Sequence, residues 1–148
     1  MAQTGRAGSG MILRRSDGST VYAACRSLRY CSSALEAELQ ACMEGLQFGL
    51  NLCQEKIIVE TDSSELVQMI KSSVRDRSPL GHLVQDLRLL LSTDRIVSVI
   101  KIPRTCNVAS HELARFGLLN QRTQFWLGSV PDELLDRIRK DCNISISI

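Results

Sequence analysis

The sequence predicts an α/β fold, a mixed β-sheet flanked by helices. Three observations predict it. A strand–turn–strand pattern stands near the N-terminus, with Asp17-Gly18 at its turn, the pair favoured in hairpins. Helical and strand-like periods then alternate along the chain, as they do when helices pack on a sheet. Finally, the short apolar run Lys56-Ile57-Ile58-Val59-Glu60-Thr61-Asp62 ends on an acid directly before a helix start. Open α/β sheets hold their ligands at such strand ends.

A chain of 148 residues with 44% hydrophobic content suits one domain, residues 1–148, with a substantial core. The net charge of +2 neither demands nor excludes a nucleic-acid partner, which would bind through local basic patches. No apolar run reaches the ~18 residues of a membrane span. Residues 1–10 lack the apolar centre of a signal peptide, so an intracellular location with reduced cysteines is expected. The six cysteines contain no C-x-x-C pair, which argues against a zinc site. Neither a Walker A sequence nor a G-x-G-x-x-G turn opening a helix is present.

In chain order, Met11-Ile12-Leu13-Arg14-Arg15 reads as a strand, and Thr20 to Leu28 returns as its antiparallel partner. Ser33-Ala34-Leu35-Glu36 is a capping box that starts a helix to about Cys53. On that helix Glu36, Gln40, Glu44 and Gln47 form a polar stripe, and Leu35, Leu39, Met43, Leu46 and Leu50 an apolar one. Glu38 heads a third stripe with Cys42, Gly45 and Gly49, so it should face the sheet while Glu36 faces water. The buried strand to Asp62 follows, then a helix from Ser63 to about Ser73. His82 to Leu91 reads as another helix, with His82 on the surface. Residues 95–102 form a strand stopped by Pro103. Asn107 can cap a helix to about Asn120. Residues 121–128 read as a connector, and Pro131 opens a short helix from Asp132 to about Lys140. The alternating tail, residues 144–148, is expected to fray. The order is β-β-α-β-α-α-β-α plus the tail.

Glu38 and Asp62 converge on one region in this reading. Paired carboxylates hold divalent cations, which can activate a water and stabilise a leaving oxygen. The spacing also permits plainer roles. Asp62 followed by Ser63, Ser64 and Glu65 is itself a helix-start pattern, and Glu38 could reach water from the edge of the apolar face.

Four motifs resemble those of ribonuclease H-like domains. Residues 5–14, with Gly8 and Gly10, resemble the family's glycine-bearing second strand, and Ala37-Glu38-Leu39-Gln40-Ala41 its A-E-x-x-A helix. Ile58-Val59-Glu60-Thr61-Asp62-Ser63 is similar to the strand ending in E-T-D or E-S-D. Asn107-Val108-Ala109-Ser110-His111-Glu112-Leu113-Ala114 is similar to the N-x-x-A-D/H-x-L-A helix, with Ser110 where alanine is usual. Phe125-Trp126-Leu127-Gly128-Ser129-Val130-Pro131 resembles a divergent plant group of these domains, often derived from retroelement reverse transcriptases. The resemblance implies a ribonuclease H-like core over residues 5–120 with a C-terminal extension over 121–148. It implies metal-dependent cleavage of RNA in RNA–DNA hybrids, with Mg²⁺ or Mn²⁺ as cofactor and Glu38 and Asp62 as catalytic metal ligands.

The departures from the family carry expectations of their own. The family's first strand, central in its sheet and bearing an aspartate, would precede Gly5. Only Met1-Ala2-Gln3-Thr4 stand there, none acidic, so that strand is expected to be missing. His111 takes the place of the fourth acid. It reads either as a metal ligand, one Mn²⁺ accepts more readily than Mg²⁺, or as a partly buried core histidine beside Ala114 and Leu118. The loop at residues 72–81 is too short for the basic handle that some members carry. Arg14, Arg15, Arg26 and Arg29 could make a basic face on the hairpin, and Lys101 with Arg104 another, though a solvated surface is the default reading for both and phosphate contacts need them around the acidic site. The expectation is a nucleic-acid-binding domain whose hybrid cleavage is weak or lost. A non-catalytic binding or interaction module and a degenerate retroelement remnant are the alternatives. The remnant reading rests on the backbone groups a missing central strand would leave unpaired.

Overall fold

The structure, a computed structural model, describes residues 5–92, 97–138 and 146–147. Its centre is a six-stranded mixed sheet. Strand β1 (Ala7–Arg14) pairs antiparallel with β2 (Thr20–Leu28) across the predicted turn. Gly18 adopts φ +87° there, a left-handed conformation glycine takes without a Cβ penalty. Asp17 Oδ1 accepts the Ser19 amide at 2.8 Å. The strand begins at Ala7, four residues before the periodic apolar run at Met11, as the resemblance implies. Its first residues are small because a helix lies directly on them.

Helix α1 (Ala34–Leu52) starts at the expected cap, where Ser33 Oγ accepts the Glu36 amide at 3.2 Å. The capping box is offset, however, since Glu36 Oε2 accepts the Ser32 amide at 2.7 Å. The apolar and small stripes of α1 face the core, while the polar stripe is only partly exposed, Glu36, Gln40 and Glu44 being half-buried. Leu39, Leu46, Cys42, Gly45 and Gly49 are buried, and Gln47 is exposed. Gly45 packs near β2, where its carbonyl accepts the hydroxyl of fully buried Tyr22 at 2.5 Å. Strand β3 (Ile57–Thr61) follows, then α2 (Ser64–Lys71) and α3 (Gly81–Leu91). Strand β4 (Val97–Lys101) pairs parallel with β3. Arg95 and Ile96 of the predicted strand lie outside the described residues. Helix α4 (Val108–Asn120) comes next.

The connector reading of residues 121–128 is overturned in part. Gln124–Leu127 form β5, antiparallel to β2 at the sheet edge. The run is too short for a clear two-residue period, but Phe125 stacks on Tyr22 with ring centroids 5.2 Å apart. Phe125 also lies 4.9 Å from the Phe48 ring of α1. Beyond Pro131 a 3-10 turn (Asp132–Leu134) leads into α5 (Leu135–Ile138). The remainder of that predicted helix lies outside the described residues.

The tail does not fray at Ile146–Ser147. These residues form β6 between β1 and β3, in the order β4-β3-β6-β1-β2-β5. Ser147 pairs antiparallel with Ile12, while Ile146 and Ser147 pair parallel with Val59 and Glu60. Ile144, Ser145 and Ile148 lie outside the described residues. The expected gap beside the hairpin is thus occupied at Ile12, Val59 and Glu60, which removes the unpaired-backbone argument for an unstable remnant at those positions only. Partners on both sides hold these two residues in place, and sequence distance conceals both.

Two cores sandwich the sheet. Met11, Leu13, Val59, Leu39, Leu46, Leu66 and Leu87 join the sheet to α1, α2 and α3. Ile12, Ala23, Cys25, Ala109, Leu113 and Ile138 join its other face to α4 and α5. Alternation of Ile12 against Met11 and Leu13 follows from the two-residue period of a strand. Helix α4 lies hard against β1. A Cβ at Gly8 would collide with the carbonyl oxygen of Ala114, and one at Gly10 with that of Ser110. These two glycines therefore set the height of α4 over the sheet, and with it the position of His111.

Candidate functional site

Asp62 is freed from the helix that follows it. Ser63, not Asp62, caps α2, accepting the Leu66 amide on its Oγ at 3.1 Å. Thr61 Oγ1 accepts the Ser63 amide at 3.2 Å. With those amides served by hydroxyls, the Asp62 carboxylate is left to point elsewhere. It meets α4, where Oδ2 lies 2.9 Å from His111 Nε2 and Oδ1 accepts Asn107 Nδ2 at 3.2 Å. The helix-cap role for Asp62 is excluded by this geometry.

Asn107 occupies the cap position of α4 but makes no side-chain cap bond. Its side chain is fully buried and serves the tertiary contact to Asp62 instead. Ser110 Oγ donates to Asn107 Oδ1 at 2.7 Å, one turn along the helix. Because an amide presents one acceptor and one donor end, this bond turns the NH₂ end of Asn107 toward Asp62.

Glu38, Asp62 and His111 line one cleft of about 290 Å³, together with Gly8, Gly10 and Arg104. Glu38 projects into it from the sheet-facing stripe of α1. Burial pushes its carboxyl above the ordinary range; a Ser63 hydrogen bond works against this, and the nearby Asp62 charge adds to it. Asp62 shows the opposite balance. Burial would raise it, but hydrogen bonding and charge from His111, with the Asn107 bond, hold it below the usual carboxylate range. The Asp62 side chain is 14% exposed and that of His111 39%. His111 is accordingly neither a core histidine nor a free surface group, since it spans the boundary with its Nε2 on Asp62.

The three residues singled out in the sequence therefore share one site. Asn107 and Ser110 were missed as site residues. The three-residue spacing of Asn107 and Ser110 on a helix, with serine where alanine is usual, was the available signal. His82 is exposed and lines a different cleft with Arg75, Arg77 and Arg88. The basic face that the hairpin could make is only partly present, with Arg15 and Arg29 exposed. Arg14 is buried, and Arg26 pairs with Glu44 of α1. Arg104 alone of the predicted basic groups lines the cleft.

The donor set was tested against a divalent cation. Among the described residues no three His, Cys, Asp or Glu side chains converge as a metal-holding group. Both Asp62 oxygens already accept hydrogen bonds from the protein. Each oxygen keeps a second lone pair, so Asp62 and Glu38 still offer carboxylate oxygens to a divalent cation, without a third such ligand grouped with them among the described residues.

Comparison with known proteins places the chain in context. Residues 1–117 match a family model described as reverse transcriptase-like. A protein of Arabidopsis thaliana that carries a ribonuclease H name is 27% identical over 137 residues, 93% of this chain. The chain spans 22% of that relative's length. The fold is similar to RNase H1 from Halobacterium salinarum, with a TM-score of 0.70, 19% identity and coverage of 82% of this chain and 93% of that one. It is similar to the N-terminal RNase H domain of Rv2228c from Mycobacterium tuberculosis, with a TM-score of 0.70, 22% identity and coverage of 78% and 84%. It is also similar to LC11-RNase H1 in a complex with an RNA/DNA hybrid, with a TM-score of 0.63, 19% identity and coverage of 82% and 91%.

Proposed function

The chain belongs to the reverse transcriptase-like family, and on that premise we propose that it is a ribonuclease H-type domain that binds nucleic acid. RNA–DNA hybrid is its substrate class, and cleavage of the RNA strand is weak or lost. Glu38 and Asp62 are the site carboxylates, at the place where the reaction's Mg²⁺ or Mn²⁺ would bind in an active domain. The chain acts as one domain, and an intracellular location, where thiols stay reduced, belongs to the same proposal.

One observation carries this reading. Asp62 leaves the helix cap to Ser63 and turns its carboxylate into a cleft shared with Glu38 and His111. A cap would need no such partners. Weak cleavage is supported by the donor set, since among the described residues no three His, Cys, Asp or Glu side chains group to hold a metal. Similarity to a fold seen with an RNA/DNA hybrid supports the substrate class. Hybrid selectivity would come from 2′-hydroxyl and phosphate contacts in the minor groove.

The test is binding and cleavage by the purified chain, with labelled RNA–DNA hybrid and duplex DNA, in Mg²⁺ and in Mn²⁺. Salt-sensitive binding that favours the hybrid is expected, with cleavage no faster than in Asp62→Asn. Absence of hybrid binding would remove the proposal. Robust cleavage abolished by Asp62→Asn would instead show an intact enzyme.

A further inference from the structure

We propose that Arg6, Arg29 and Tyr30 form a single-strand subsite beside the Glu38 and Asp62 cleft, with Tyr30 stacking on an unpaired base and the two arginines holding the adjoining phosphates. The preferred substrate is then a hybrid that continues into a single strand. The inference rests on the reading of the chain as a hybrid-binding domain and narrows its substrate.

The open end of the hairpin brings the three residues together. The β1–β2 register ends at Ala7 and Leu28, so Arg6 and Arg29 are the next residue of each strand. Beyond them the Gly5 carbonyl accepts the Cys31 amide at 2.7 Å. A Cβ at Gly5 would lie 3.5 Å from the Arg29 carbonyl oxygen and 3.9 Å from the Tyr30 Cα. Residues 5–6 and 29–30 therefore run side by side. Ala7 and Ala34, which follow these two segments, line the cleft that holds Glu38 and Asp62. The cluster borders that cleft and does not lie on a remote face.

Tyr30 is 91% exposed, and no other large apolar side chain among the described residues is as bare. Tyrosine ordinarily buries part of its ring. This ring packs on none of the other aromatic rings among the described residues. Arg6 and Arg29 are exposed as well, and neither pairs with an acid among the described residues. Glu36, an acid nearby in sequence, is engaged by Ser32 and Gln40. Two like charges side by side repel, and an anion between them removes that repulsion. A bare ring beside two unpaired cations suits one ligand chemistry. Phosphates meet the arginines, and a base offers the ring a flat face. A base inside a duplex is already stacked on its neighbours, so an unpaired one is selected.

Fluorescence anisotropy of two labelled RNA–DNA hybrids with the purified chain, without divalent metal, tests this. One hybrid is blunt. In the other the DNA strand runs on at both ends as about five unpaired thymidines, the scale of a short single-strand site. The parent is expected to bind the extended hybrid about tenfold more tightly, the scale of one base stacked on an aromatic ring. Tyr30→Ala is expected to abolish that preference, and Tyr30→Phe, which keeps the ring, to retain it. Arg6→Gln combined with Arg29→Gln is expected to flatten the salt dependence of binding to the extended hybrid, because phosphate contacts are lost. A preference that survives Tyr30→Ala, or an unchanged salt dependence in the double arginine variant, would overturn the proposal. A parent that binds both hybrids equally sinks this inference alone, whereas one that binds neither sinks the functional reading with it.

Discussion

The Ser110 hydroxyl donates to the side-chain oxygen of Asn107 at 2.7 Å, which turns the amide nitrogen of Asn107 onto Asp62 at 3.2 Å. Both members of the pair are buried. A side chain on α4 thereby sets the hydrogen bonding of a carboxylate at the end of β3. Ser110→Ala removes this donor and is expected to cost about 1–2 kcal/mol, read as a lower urea midpoint. Ser110→Thr, which keeps the hydroxyl, should recover part of the loss.

Gly10 faces the Ser110 carbonyl, with no room for a Cβ. The two nearest collision partners, the Ser110 carbonyl oxygen and the Ala114 amide nitrogen, are backbone, so neither can turn away as a flexible side chain would. Gly10→Ala is expected to destabilise by about 1–3 kcal/mol, as overpacking of a filled core does. Trp126, which lies on Phe116 of α4 at 5.9 Å between ring centroids, provides the fluorescence signal for the unfolding curve.

Strand β6 fills the sheet between β1 and β3 with two residues. Removing residues 142–148 uncovers the inner edges of both neighbours at Ile12, Val59 and Glu60. Each lost backbone bond is worth about 1 kcal/mol, so a drop of a few kcal/mol is expected. Hydrogen exchange at β1 and β3 amides should accelerate, while amides of the β2–β5 pair should change less. Unchanged exchange at Ile12 and Glu60 would show that β6 contributes nothing in solution.

Glu38 and Asp62 should act on stability in opposite directions with pH. The Glu38 carboxyl is raised by burial, so the fold binds its proton more tightly than the unfolded chain does. Its contribution is present below the unfolded pKa and lost as pH rises through the folded one. Glu38→Gln should therefore gain stability near neutral pH and lose that advantage on acidification. Asp62 is lowered despite its burial, through His111 and Asn107. Its contribution is present above the unfolded pKa and lost as pH falls. Asp62→Asn should cost stability at neutral pH, and the cost should shrink in acid. Urea titrations of both variants at neutral pH and near pH 3, below the ordinary carboxylate range, measure the two trends.

Much of this architecture was written in local patterns. The hairpin turn at Asp17-Gly18, the Ser33 cap and the faces of α1 are each settled by residues a few positions apart. Neighbours in sequence are neighbours in a turn or a helix, so such patterns translate directly. Glu38 could be placed on the sheet side of its helix for the same reason. By itself the sequence determined a mixed sheet with helices on it, and two acids aimed at one region.

Only the tertiary structure decided what those acids do there. Asp62 meets Asn107 and His111 across separations of 45 and 49 positions. No periodicity encodes such a meeting, because it depends on how closely α4 settles onto β1. Asn107 looks like a helix cap in sequence, and so does Asp62. In the fold their side chains bond to each other instead, since a buried carboxylate left without a partner is costly. The same holds for Ile146–Ser147, whose alternation is too short to mark a strand until β1 and β3 stand on either side. Local pattern placed the elements, and packing chose the partners.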